Sequence, residues 1–235
     1  MEYAFHVYNK LATDGATMAL HRLLDETYTR KKHKRWGDGM RSTPNSAQNK
    51  AQNSTQTEHT EKESAPTDSP TPNPPIVVCI GSDLAIGDSL GPITGSMLQY
   101  KTQGLNTFIY GTLTAPVTAK EIRTLLTFLR ETHRGKQILA IDAAVGDKGD
   151  IGLIKLHDTP LLPGAGANKK LGAIGDVSVM GVVAEKSVSN YGLLNTTRLN
   201  LVYTMSEIIS DAVAALLWER CLAKNNRQEK TLDRA

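Results

Sequence analysis

From residue 76 onward, short β-branched apolar runs alternate with segments of helical period. This alternation constrains the fold more than any other feature of the chain. Residues 76–80, 107–111 and 137–141 read as strands, with helices expected over 89–103 and 117–132 between them. Further strands are expected over 151–156 and 177–183, and a long helix over 195–223. A βαβαβ order of this kind predicts a mostly parallel sheet with helices on both faces, an α/β protein. Upstream, Met18, Leu20, Leu23, Leu24 and Tyr28 form a partial helical stripe, so a helix is expected over 16–30. The run Arg30-Lys31-Lys32-His33-Lys34-Arg35 follows it. It reads as a solvated helix end favoured by the helix dipole, with contact to an acidic surface as the alternative. Residues 42–75 are rich in Ser, Thr, Asn, Gln and Pro and hold almost no apolar side chain, as expected of a disordered linker. The chain therefore divides into an N-terminal helical arm (1–41), that linker (42–75), an α/β domain (76–223) and a polar tail (224–235).

A net charge of +3 over 235 residues gives no electrostatic case for nucleic acid. No apolar run of membrane-spanning length is read, and no N-terminal leader, so a cytoplasmic protein is expected. Two cysteines, Cys79 and Cys221, make no disulfide framework, and nothing has metal-ligand spacing. Neither a metal nor another cofactor is expected.

The chemistry concentrates in two places. The stretch Gly81-Ser82-Asp83-Leu84-Ala85-Ile86-Gly87-Asp88-Ser89-Leu90-Gly91-Pro92 lies between the first core strand and its helix. In an open α/β sheet that loop stands at the carboxyl edge, where ligands bind. Asp88 falls where the helix should begin, so it is either a cap or a functional acid. Asp142 closes the third strand in Ile141-Asp142-Ala143-Ala144, and its plain reading is a turn residue. If those two strands are neighbours, both acids face one crevice, and one of them keeps its proton at higher pH than usual. Gly87-Asp88-Ser89-Leu90 also spells a GDSL esterase motif with Ser89 as nucleophile. No later histidine completes the Asp-x-x-His that such an enzyme needs. A third stretch, Pro163-Gly164-Ala165-Gly166-Ala167-Asn168-Lys169-Lys170, is Gly-rich and cationic, and reads as a substrate-holding or simply mobile loop.

Taken in order, these three stretches resemble the sporulation protein YyaC family. They are also similar, more distantly, to the spore germination protease and the hydrogenase-maturation endopeptidases. The resemblance covers about residues 76–222. It implies a three-layer α/β/α sandwich of the phosphorylase/hydrolase-like type, with Asp88 and Asp142 at the positions of the catalytic acids. It implies an aspartate-dependent endopeptidase acting on small spore proteins in the sporulating cell or spore interior. Asn168 and Lys169 fall at the place of a substrate-holding loop. In the hydrogenase-maturation proteins the corresponding acids bind a metal with a histidine; His157 is the nearest histidine here. Ile86-Gly87 departs from the Thr-Pro that precedes the first acid in the germination protease. The alternatives are a non-catalytic spore protein that keeps the fold to bind a partner, and the serine esterase. A homo-oligomer is left open.

Overall fold

The computed structural model describes residues 1–39, 73–163, 172–186 and 197–232. Most of the expected linker, the stretch 164–171 with Asn168 and Lys169, and the last three residues of the tail lie outside them. Six strands form one sheet: β1 (Glu2–His6), β2 (Ile76–Cys79), β3 (Ile109–Tyr110), β4 (Ile138–Gly146), β5 (Leu153–His157) and β6 (Val177–Glu185). Their spatial order is β1-β5-β6-β4-β2-β3. The pairs β3–β2, β2–β4 and β4–β6 are parallel, and β5 is antiparallel to both its neighbours. Among the described strands, β5 alone therefore runs against the rest.

Among the described residues, four α-helices flank the sheet: α1 (Ala12–Gly39), α2 (Leu90–Lys101), α3 (Ile122–Thr132) and α4 (Leu199–Leu232). Side chains alternate across a strand, and the core splits accordingly. Val77, Cys79, Leu139, Ile141, Val177 and Val179 pack with residues of α1, α2 and α4. Ile76, Val78, Ile80 and Ala140 pack instead with Ile122 and Leu129 of α3. The result is a three-layer α/β/α sandwich. β2 is buried on both faces, which is why its sequence is a continuous Ile-Val-Val-Cys run rather than an alternating one.

Residues 1–39 supply more than the helix expected from the sequence. β1 pairs with β5 from Glu2↔His157 to His6↔Leu153 and so forms one edge of the sheet. Asn9 accepts the Leu11 N–H through Oδ1 (3.0 Å) and starts α1 earlier than residue 16. Ala16, Ala19, Leu20, Leu23 and Leu24 recur at helical spacing and are all buried in the larger core. Each fully buried Leu is worth about 1.5–3 kcal/mol of transfer free energy. Gln137 Nε2 donates to Leu24 O (2.7 Å) and Thr27 Oγ1 (2.9 Å), tying α1 to the start of β4. Arg30 and Lys31, read from sequence as a solvated helix end, are ion-paired to Asp158 (2.6 Å) and Asp176 (2.5 Å). Leu23→Ala should therefore cost about 2–5 kcal/mol in a denaturant titration. A loss below about 1 kcal/mol would mean that α1 is not part of the cooperative core.

The helix expected over 195–223 runs instead as α4 to Leu232, into the tail. Its segment Leu199–Glu229 is long and apolar enough to cross a membrane by length and composition, with a hydropathy of 1.4. More than half of that window is buried inside the protein, against α1, α2 and the sheet. A helix covered by neighbours on several sides is apolar for that reason, and α4 is a core helix. The helix expected from residue 117 begins at Ile122, after a turn in which Glu121 Oε2 accepts the Thr118 N–H (2.9 Å).

Candidate active site

β2 and β4 are neighbours, with Cys79 opposite Ile141. From β2 the chain goes by α2 to β3 on one side, then by α3 to β4 on the other. The order thus reverses at β2, and the carboxyl ends of β2 and β4 frame the position where open α/β sheets bind ligands.

The loop after β2 is held in a defined shape. The Gly81 N–H donates to Val117 O (3.0 Å), and the Ser82 N–H donates to Asp88 O (3.0 Å), closing the excursion on itself. Gly81 has φ 141°, and a Cβ there would stand 2.1 Å from the Asp88 carbonyl oxygen. Only glycine fits at this closure. A 3-10 turn, Ile86–Ser89, leads into α2 and touches both β4 and α4. Asp88 sits in this turn and is not the helix cap expected from the sequence. The capping position belongs to Ser89, whose side chain caps nothing.

Asp142 is not at the end of its strand. β4 continues four residues further, Ala143–Val145 and Gly146 pairing with Gly181 to Glu185 of β6 across a register shift at Ala144/Val145. Asp142 therefore lies in a ladder, opposite Met180, just beyond the point where β2 stops. By alternation from Ala140 it belongs to the α3 face of the sheet. One of its oxygens accepts the Ala143 N–H (2.8 Å).

Both carboxyls hold their protons more tightly than ordinary aspartates. Burial raises Asp88, and a backbone N–H from Ser82 offsets part of the rise. Asp142 is raised well above the usual carboxylate value, first by burial and then by the negative charge of Asp88, against the Ala143 N–H. The turn that carries Asp88 touches β4, and the negative charge of Asp88 is felt at Asp142.

Among the described residues no histidine is hydrogen-bonded to Ser89. It is 6% exposed, and its hydroxyl donates to Ile86 O at 2.7 Å. Ser89→Ala should leave any hydrolytic rate within about three-fold of the parent, since no histidine-assisted step is lost. Covalent labelling of Ser89 by a fluorophosphonate would reverse this and return the esterase reading. Among the described residues no group of three His, Cys, Asp or Glu side chains is arranged to hold a metal ion. His157 pairs with Ser178, two positions nearer the amino edge than the Met180 that faces Asp142, and lies 3.9 Å from Glu2. The described residues do not complete a set of two acids and a histidine. The ends of the Asn168/Lys169 loop are described: Leu161 and Ile174 bridge each other and pack in the α3-side core.

The chain belongs to the DUF1256 family, described as a protein of unknown function, whose model matches residues 45–212. Over 142 residues it is 37% identical to the uncharacterized protein YyaC of Bacillus subtilis (strain 168), covering 60% of this chain and 68% of that one. Among solved structures, it is similar to the NiFe hydrogenase maturation protease HycI from Thermococcus kodakarensis KOD1, with 17% identity and a TM-score of 0.40. That match covers 61% of this chain and 92% of the other. The resemblance to the YyaC family expected from the sequence thus holds over 60% of the chain.

Proposed function

We propose that this protein is an aspartate-dependent endopeptidase in which Asp88 and Asp142 share one proton. What supports this reading most is Asp142, raised by burial and by the negative charge of Asp88, just beyond the end of β2 in a mostly parallel sheet. Asp142, the more strongly raised of the two, supplies the acid; Asp88 supplies the base. The Asp88 carboxylate takes a proton from water as its oxygen forms a bond to the scissile carbonyl carbon. Asp142 gives its proton to the carbonyl oxygen, so that a neutral tetrahedral diol forms. The diol collapses as the C–N bond breaks. Asp88 passes its proton to the leaving amine, and the hydroxyl proton returns to Asp142. The two acids titrate as a unit, so the rate should fall as pH rises through the higher apparent value of the pair.

Asn168 and Lys169 are proposed to hold the substrate backbone. By the family resemblance, small spore proteins are the proposed substrates and the cytoplasm of the sporulating cell or spore interior the location. The test is incubation of the full chain with an unfolded small basic protein across pH 4–8, with cleavage read by mass spectrometry. Cleavage that declines with rising pH and is absent in Asp142→Asn supports the reading. Cleavage that persists in Asp142→Asn overturns it.

A further inference from the structure

β4 is longer than the strand beside it, and the excess leaves a bare edge at the site. β2 stops opposite Ile141, while β4 runs on to Gly146 against β6. The hydrogen bonds show which way each residue of β4 faces. Gln137 O and Ile141 O accept the Ile76 and Ile80 N–H (2.8 and 2.7 Å), so odd-numbered residues face β2. Ile138 O and Gly146 O accept the Asp176 and Lys186 N–H (both 2.7 Å), so even-numbered residues face β6. The extra residue at the register shift is Val183 of β6, and β4 keeps its alternation. Ala143 and Val145 therefore turn their backbone groups toward the track in which β2 has ended.

A continuing parallel ladder would take the Ala143 N–H to Ile80 O. It donates to Asp142 Oδ1 instead (2.8 Å), so the acid itself closes the last rung. Beyond it, among the described residues, the Ala143 C=O and the Val145 N–H and C=O have no hydrogen-bond partner. Sheets commonly guard such an edge with a charge or a proline. This one reads Ala143-Ala144-Val145-Gly146, with neither, and it is half-buried beside Asp142. An acceptor, a donor and an acceptor at strand spacing are the complement of an extended backbone.

We infer that the bare edge of β4, Ala143–Gly146, takes an extended polypeptide as an added strand in the track that β2 leaves empty. This rests on the endopeptidase reading and says how its substrate is held. The added strand donates to Ala143 O, accepts from the Val145 N–H and donates to Val145 O. Its next peptide group then lies beside Asp142, one residue before the first free rung. Backbone pairing reads no side chain, so the edge takes many sequences, provided that they are unfolded and keep their N–H groups.

The test uses the full chain carrying Asp88→Asn, so that the probe is not consumed. The probe is a fluorescently labelled small basic protein, kept unfolded by reduction and carboxymethylation. Exchange of the Val145 amide is read by NMR with and without saturating probe. It should be unprotected in the protein alone and exchange at least about ten-fold more slowly with the probe bound. Fluorescence anisotropy then compares two variants in the same background. Val145→Pro removes the outward N–H and no rung to β6; Val145→Ala trims the side chain and keeps the N–H. Val145→Pro should bind the probe at least about three-fold more weakly than Val145→Ala, the loss of one backbone hydrogen bond. Where Val145→Pro melts far below Val145→Ala, the exchange measurement decides alone. A Val145 amide already protected in the protein alone means that another segment of the chain holds the edge, and overturns the inference. An amide left unprotected by bound probe, equal binding by two folded variants, or no binding also overturns it. The hydrolytic reading fails separately. Protection of Val145 by the probe, with a parent that cleaves nothing, removes the peptidase and leaves a binding protein for unfolded chains. Cleavage by the parent while Val145 stays unprotected keeps the peptidase and removes the added strand.

Discussion

Asp88→Asn and Asp142→Asn should each lower turnover by about 10²–10⁴-fold, the contribution of a positioned acid or base. The double variant should be little worse than either single one, because two groups that share a proton act as a unit. Stability should move the other way. Both native carboxyls titrate above the unfolded value, so between that value and their own the native state binds more protons than the unfolded chain. Stability from this source is fully present below about pH 4, where both states are protonated, and is lost as pH rises through the native values of the pair. An asparagine carries no charge to bury. Asp142→Asn should therefore melt several degrees above the parent at neutral pH and close to it at pH 4. Parental turnover in either single variant would sink the mechanism, and losses that multiply in the double variant would sink the shared proton. A parent that cleaves nothing while the neutral-pH stabilisation appears would favour the non-catalytic reading of the same site.

Gly95→Ala should be among the most damaging small substitutions in the chain. α2 lies so close to the sheet that a Cβ on Gly95 would stand 1.9 Å from Gly111 O. Gly111 in turn has φ 87°, and a Cβ there would stand 1.7 Å from Cys79 O. The obstructing atoms are backbone oxygens at the end of β2 and after β3, so no side chain can swing aside to make room. The helix must move away, at a cost of about 3 kcal/mol or more. For a chain of this size that corresponds to a melting temperature roughly 10 °C lower. Because the Asp88 turn leads directly into α2, the displaced helix should carry the acid with it and reduce activity beyond the stability loss. Gly104→Ala is the control. Its φ is also 87°, but no atom lies within 4 Å of the added Cβ, so only backbone strain of about 1–2 kcal/mol applies. A Gly95→Ala protein that melts within a degree or two of the parent would show that α2 is free to shift.

The strands that carry the site were legible because they are buried on both faces. A run such as Ile-Val-Val-Cys has few other uses, and each acid interrupts or follows one. β1 was not legible as a strand. Tyr3 and Phe5 alternate as they should, but five residues with Glu2 and His6 on the other side give a weak signal, and the partner strand is some 150 residues away. The end of β4 was misplaced because a carboxylate after four apolar residues looks like a strand terminus. The small residues that follow it, Ala143 and Ala144, extend the ladder on β6, which the local sequence cannot reveal. Asp88 looked like a helix cap because acids favour that position. The 3-10 turn puts it one residue before the cap and frees its side chain for the pair.

The pairing of Glu2 with His157 has a consequence for how this chain is made. Synthesis proceeds from the amino end, so β1 emerges about 150 residues before the strand it pairs with. The apolar stripe of α1 waits longer still for α4, where the buried Arg220 meets Asp25 at 2.7 Å. At about 5–20 residues per second, Leu20, Leu23 and Leu24 stand without their final cover for roughly ten seconds to most of a minute. During that interval the central β2–β4–β6 ladder can form from nearer partners, while the first forty residues remain a sticky thread at the ribosome surface. A segment synthesised before all its partners is thus among the last to be secured, and it is the part on which a chaperone would have most time to act.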